Sequence, residues 1–332
     1  MQLPFLRTIR NAFDCDREDA SCPSLASVGI EAFFETASFL GRLHPKARPE
    51  RHGVELVRDI AYKNTGSRAH LLDIYVPRRS PAPRPVVLYV HGGGFRILSK
   101  ETHWVFGLSF ARRGYLVFQI NYRLAPKHPF PEPLDDVCAA YEWVVQNAAR
   151  YGGDPARIVV AGESAGANLV TSLTLATTMD RPEPFARRVF DLGSVPKAVW
   201  PACGILQVTD PERFWRDHEM KQVMKDRILA VCRGYVRPNG HQPDGLVLAD
   251  PLVALESDTP VARPLPPFFL SAGTRDPIVD DTRRVEAALR KRGVPHQARY
   301  DEGEPHAYQA LVWKKSAREV WRDTFRFLDQ HV

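Results

Sequence analysis

Short apolar runs closed by glycine or proline recur from residue 54 onward, with helix-spaced stretches between them. They predict strands at Val54–Tyr62, Leu71–Val76, Val86–Val90, Leu116–Asn121, Ile158–Ala161, Ala198–Ala202, Phe268–Ala272 and Gln297–Tyr300. Several are apolar at nearly every position, as in strands covered on both faces of a parallel sheet. The first two carry polar residues and precede any helix of this alternating part, which suits an antiparallel hairpin better. Leu134, Val137, Cys138, Tyr141, Val144, Val145 and Ala148 share one helical face over 133–149, behind Pro133 and the acidic pair Asp135-Asp136. Val285, Ala288 and Leu289 do the same over 280–292, which stops at Gly293. Val320, Trp321, Phe325 and Leu328 mark the last helix. Strands alternating with helices predict a doubly wound α/β sheet. Two segments break the alternation. A helix over 24–43 with Phe33, Phe34, Phe39 and Leu40 precedes it, followed by a polar linker, HPKARPERHG, at 44–53. Residues 205–250, with Phe214, Trp215, Met220, Val223, Met224, Ile228 and Leu229 amid charges, read as a helical insertion.

Composition narrows the class. The 332 residues are 44% hydrophobic, 25% charged and 10% aromatic, which excludes disorder, collagen and coiled coil. The length fits two domains or one elaborated domain. Lys+Arg exceeds Asp+Glu by 45 to 39, a net charge of +6. The basic pairs Arg78-Arg79, Arg112-Arg113, Arg187-Arg188, Arg283-Arg284 and Lys314-Lys315 are scattered, with no arm or stripe, so no nucleic-acid partner is expected. The 28 prolines against 21 glycines imply many stiff turns and long, structured loops. Cysteines at 15, 22, 138, 203 and 232 form no CxxC and no zinc-spaced cluster, so they read as reduced thiols of a cytoplasmic protein. Cys138 and Cys203 belong to apolar stretches and are assigned to the core; whether Cys15 and Cys22 pair is left open. The N-terminal residues lack the pattern of a cleaved signal, and no apolar stretch reaches the length of a membrane span.

Three pieces of chemistry stand in this frame. In RIVVAGESAG, 157–166, a buried strand runs into Gly162-Glu163-Ser164-Ala165-Gly166 and a helix follows to Thr178. Gly-x-Ser-x-Gly between strand and helix is a nucleophile elbow, a turn so tight that side chains at 162 or 166 would strike neighbouring backbone. In PVVLYVHGGGF, 85–95, a strand opens into His91-Gly92-Gly93-Gly94, where main-chain N–H groups can face a substrate oxygen unobstructed. No phosphate-loop pattern is present. A serine hydroxyl needs a base that is itself oriented by an acid, both downstream in this chain order. Asp276 follows the strand in PFFLSAGTRD, and His306 lies in the loop after the last strand. Asp280 and Asp281 compete with Asp276 but open the next helix, where acids serve its dipole. His241, in a polar Pro/Gly loop, and His296, entering a strand, compete with His306.

The sequence resembles the hormone-sensitive-lipase-like (bacterial family IV) carboxylesterases of the α/β-hydrolase superfamily. The resemblance covers roughly residues 54–330 and rests on HGGGF at 91–95, NYRLAPKHPFPEPLDD at 121–136, YGGDPARIVVAGESAGAN at 151–168, DPIVD at 276–280 and PHAY at 305–308. It implies an α/β-hydrolase fold, with an eight-stranded, mostly parallel sheet, helices on both faces and a helical cap. It implies Ser164 as nucleophile, Asp276 as acid, His306 as base, and the N–H groups of Gly93, Gly94 and Ala165 as oxyanion donors. His91, Gly92 and Glu163 would support the motif, and Tyr122 would brace the glycine loop with His91. Glu163 replaces the usual Asp, Ala167 a usual Gly, and Ala307 a common Gly. The expected organisation is a core at 51–204 and 251–332 with a cap from 1–50 and 205–250. The expected activity is hydrolysis of short- to medium-chain acyl esters, with no cofactor or metal, by a monomer or homodimer. A deacetylase or amidase on the same triad is the alternative, and a non-catalytic receptor like the gibberellin receptors, which lose the base, is disfavoured by His306.

Overall fold

A computed structural model describes residues 25–216, 219–236 and 243–332. Eight strands form one sheet: β1 (Val54–Ala61), β2 (Leu71–Pro77), β3 (Arg84–Val90), β4 (Leu116–Ile120), β5 (Gly153–Glu163), β6 (Ala198–Ala202), β7 (Phe268–Gly273) and β8 (His296–Asp301). Their order is β1-β2-β4-β3-β5-β6-β7-β8. β2 runs antiparallel to β1 and to β4, and every other neighbouring pair is parallel. The hairpin start and parallel remainder agree with the apolar pattern.

Alternate residues of the central strands enter two separate cores, as the strand period of two requires. Val86, Leu88, Val90, Ile158 and Val160 pack with Leu134, Val137 and Tyr141 of α3 (Glu132–Asn147) and Leu169 and Leu173 of α4 (Ala165–Thr178). Val87, Tyr89, Val159 and Ala161 face the other way. They meet Phe106 and Phe110 of α2 (Trp104–Arg112) and Val320, Trp321 and Leu328 of α9 (Lys315–His331). Burial on both faces explains why these strands read as continuous apolar runs.

α1 (Leu25–Leu43) and α8 (Val279–Lys291) form where the spacing placed helices. α2 fills the room for a helix that the 73 positions from His91 to Ser164 leave, whereas α5 (Pro184–Asp191) was not anticipated. Gly107 sits inside α2 because a Cβ there would lie 2.3 Å from Gln119 Oε1, so glycine lets the helix press onto the sheet. The expected linker at 44–53 is instead two short 3₁₀ turns, Pro45–Ala47 and Pro49–His52, each opened by proline. In the insertion, a 3₁₀ turn at Pro211–Trp215 and helix α6 (Gln222–Tyr235) lead to another 3₁₀ turn, Pro243–Leu246, and α7 (Pro251–Glu256) follows. Cys138 and Cys203 are buried free thiols, as is Cys232. Cys15, Cys22, His241 and the side chains of Phe33 and Phe34 lie outside the described residues.

No helix among the described residues is long and apolar enough to cross a membrane. β3 and β5, at the sheet centre, deliver the glycine loop and the elbow side by side: Val90 pairs with Gly162.

Candidate active site

The elbow forms because two glycines remove the Cβ atoms that would block it. A Cβ on Gly166 would lie 2.1 Å from Val90 O, and one on Gly162 would lie 2.6 Å from Gly166 C. Between them Ser164 is held at φ 56, ψ −116, a left-handed conformation costing on the order of 1–3 kcal/mol that the surrounding structure must enforce. Its N–H donates to Ala202 O at 2.9 Å, tying the turn to β6. From Ile158 to Met179 every residue is buried except Ser164. The strained turn therefore presents one reachable hydroxyl.

His306 follows β8, and Ala307 beyond it adopts φ 55, a left-handed conformation that explains why glycine is common there in the resembled family. The imidazole Nδ1 lies 2.7 Å from Asp276 Oδ2. Asp276 is buried, and its other oxygen accepts the N–H of Ile278 at 3.0 Å. Burial opposes the imidazolium, but the charge and hydrogen bond of Asp276, with the charge of Glu163 in support, hold His306 above the ordinary histidine value. The His306 side chain keeps 34% of its surface exposed, so the ring remains reachable.

The competing residues are occupied elsewhere. Asp280 is exposed and pairs with Arg283 at 2.7 Å. Asp281, expected to serve the helix dipole, is instead fully buried. It accepts Leu206 N at 2.7 Å and is clasped by the Arg213 guanidinium. His296 Nδ1 lies 2.7 Å from Val294 O.

The glycine loop is braced from below. Tyr122 donates its hydroxyl to His91 O at 2.9 Å and stacks on the His91 ring at 4.4 Å. Burial lowers the His91 pKa to about 3, so the ring is neutral, and its Nδ1 lies 2.7 Å from Gly92 O. Gly92 N donates to Glu163 Oε1 at 2.8 Å, which removes Gly92 as a substrate donor. Gly93 (φ 111) and Gly94 (φ 61) then turn through conformations that favour glycine. Their N–H groups have no protein acceptor among the described residues. Ala165 opens α4, where an N–H lacks an acceptor within its own helix.

His103 was not legible in the sequence. Its Nε2 lies 2.6 Å from Glu163 Oε1, and its Nδ1 lies 3.1 Å from Ser99 O. Burial would raise the Glu163 carboxyl, but His103, His306 and the Gly92 N–H outweigh it and keep the carboxylate ionised. Glu163, Cys203 and His306 each bring a ligand-type atom within 4.8 Å of the others. Glu163 Oε1 already accepts from Gly92 N and His103 Nε2, and burial with the Asp276 and Glu163 charges pushes the Cys203 thiol well up. That donor set does not suit a resident metal ion.

Asn168 also escaped notice. Its Nδ2 donates to Ile205 O at 2.9 Å and to Ala249 O at 3.0 Å, so one buried amide fastens both ends of the insertion.

Residues 87–310 match the alpha/beta hydrolase fold family. The chain belongs to that family. Carboxylesterase NlhH of Mycobacterium tuberculosis is 32% identical over 244 residues, 72% of this chain and 71% of that protein. Esterase LipI of the same organism is 29% identical over 296 residues, 84% of this chain and 81% of the other. Bovine hormone-sensitive lipase is 35% identical over 139 residues, 42% of this chain and 17% of the lipase. Among solved structures, esterase LipW of Mycobacterium marinum superposes with a TM-score of 0.73 at 22% identity, covering 93% of this chain and 91% of its own. The curated relatives thus include carboxylesterases matched over about two thirds or more of both chains and a hormone-sensitive lipase matched over a shorter stretch, and the solved esterase shares the fold.

Proposed function

We propose that this α/β-hydrolase is a serine carboxylesterase acting on short- to medium-chain acyl esters through Ser164, His306 and Asp276. The observation that carries the reading is the 2.7 Å His306–Asp276 pair beside an elbow whose one accessible residue is Ser164. His306 takes the proton of Ser164 Oγ as that oxygen attacks the ester carbonyl carbon. The N–H groups of Gly93, Gly94 and Ala165 hold the oxyanion, each donor contributing on the order of 10²–10³ in rate. Collapse breaks the ester C–O bond, and His306 returns its proton to the leaving alkoxide. Water, deprotonated by His306, then attacks the acyl-enzyme, and the proton passes to Ser164 Oγ as the carboxylic acid departs. Asp276 fixes the imidazole orientation and favours its cationic form in both steps.

In this reading residues 51–204 and 251–332 are the catalytic core, and 1–50 with 205–250 form its cap. α6 closes over the glycine loop: Tyr235 stacks on Phe95 at 3.7 Å, and Val231 packs against Gly94. That closeness favours compact acyl groups.

Ser164→Ala should abolish hydrolysis of 4-nitrophenyl acetate while the far-UV spectrum stays unchanged. Full turnover by that variant would overturn the nucleophile assignment. Rates on a chain-length series should fall beyond about ten acyl carbons; a steady rise would contradict the compact site.

A further inference from the structure

We propose that Arg227, on α6, is a recognition residue for an anionic substituent of the substrate, and that the enzyme favours esters that also carry a carboxylate. The inference rests on the esterase reading above and specifies its substrate class.

α6 lies across the glycine loop. A Cβ on Gly94 would lie 2.7 Å from Val231 Cγ2, and one on Gly234 would lie 3.4 Å from Arg96 Cδ. Arg96 Nη1 donates to Ala230 O at 2.8 Å. Positions 227, 230, 231 and 234 recur at three- and four-residue spacing, so they share one helical face. The stripe that meets the loop at 230, 231 and 234 therefore continues one turn back to Arg227.

The field at the base agrees with that placement. The positive charge of Arg227 acts on His306, opposing Asp276 and Glu163, so the guanidinium stands on the active-site side of the helix. Other arginines nearby are engaged: Arg213 with Asp281, Arg216 with Asp210 and Arg96 with Ala230 O. Arg227 is exposed and has no hydrogen bond or ion pair among the described residues. Its own helix cannot supply one on this face, because its neighbours three and four residues away are Val223, Met224, Ala230 and Val231. The result is an exposed cation one helical turn from the glycine-loop contact, flanked by apolar side chains. Its five donors form a planar fork that matches a carboxylate.

The carboxylate could belong to the acyl or to the alcohol half of the ester, and matched substrates separate the two. One pair is 4-acetoxybenzoate and 4-acetoxybenzamide, nearly equal in size and different in charge on the leaving phenol, whose differing acidity cancels when the ratio is compared between variants. The other is monoethyl glutarate and its carboxamide analogue, which differ only in charge on the acyl chain. The measured quantity is the ratio of kcat/KM for the anionic member to that for the neutral member, in wild type, Arg227→Gln and Arg227→Glu. Glutamine keeps the helix propensity, and a partly exposed ion pair predicts a drop of about three- to tenfold in the ratio for at least one pair. Arg227→Glu should lower it further, and added salt should erode the wild-type ratio. A Gln variant whose ratios both stay within about twofold of wild type, with the neutral esters turning over, would overturn the assignment. Failure of wild type to hydrolyse any ester of the two pairs, anionic or neutral, would instead overturn the esterase reading.

Discussion

Replacing Glu163 by glutamine removes one charge and almost no volume. The carboxylate is 5% exposed and accepts from Gly92 N at 2.8 Å and from His103 Nε2 at 2.6 Å, both at Oε1. A Cβ on Gly92 would lie 2.3 Å from Glu163 Oε2, so loop and carboxylate are in close contact with no room for a bridging water. A glutamine oxygen placed at Oε1 can accept both bonds, but without the negative charge that strengthens them. The loss is the charge assistance of two hydrogen bonds, on the order of 1.5–3 kcal/mol in total. Gly92 precedes the proposed oxyanion donors, so that energy holds the loop in its working position. At roughly 1.4 kcal/mol per factor of ten, kcat/KM should fall about ten- to a hundredfold. A second effect has its own sign. Glu163 helps to raise His306, so removing its charge should move the pH dependence of kcat/KM toward lower pH. The assay is kcat/KM for 4-nitrophenyl butyrate from pH 5 to 9, with thermal melting to show that the variant folds. A folded Glu163→Gln protein within about threefold of wild type, with an unshifted profile, would refute the positioning role.

In wild type, kcat/KM should rise with pH through a single ionisation above 6.5, because His306 must be neutral to accept the Ser164 proton and its pKa is raised. Asp276→Asn leaves burial to act with less opposition, so that ionisation should move down while activity falls by several orders of magnitude; a pH–rate profile on both proteins checks this. Asn168→Ala removes the donors to Ile205 O and Ala249 O. It should cost about 1–3 kcal/mol in urea unfolding and speed proteolytic nicking within 205–250. Gly166→Ala forces a Cβ to 2.1 Å from Val90 O, so a loss of roughly 3 kcal/mol or more in stability is expected, measured by denaturation.

How much of this was readable depends on whether the physical demand lies within a few residues of the signal. β3 and β5 were legible because burial on both faces leaves runs of Val, Ile and Leu. The elbow glycines were legible because backbone atoms exclude a Cβ there, and no other residue satisfies that demand. Asp276 and His306 could be chosen because chain order and strand ends limit the candidates. The His103–Glu163 contact was hidden, since it joins residues far apart in sequence and neither carries a local pattern. Asp281 was misread for a related reason: an acid in the first turn of α8 fits the dipole rule, while its buried partner Arg213 lies in the insertion. α5, only eight residues long, gave too short a period to register.

Stoichiometric labelling by a fluorophosphonate, followed by peptide mapping, tests Ser164, His306 and the oxyanion donors together, because the reagent reacts with an activated serine rather than an ordinary one. The expected result is a single adduct on Ser164, absent in Ser164→Ala and slowed by several orders of magnitude in His306→Ala. An adduct on another residue, or unmodified Ser164 in a protein that still hydrolyses esters, would contradict the mechanism.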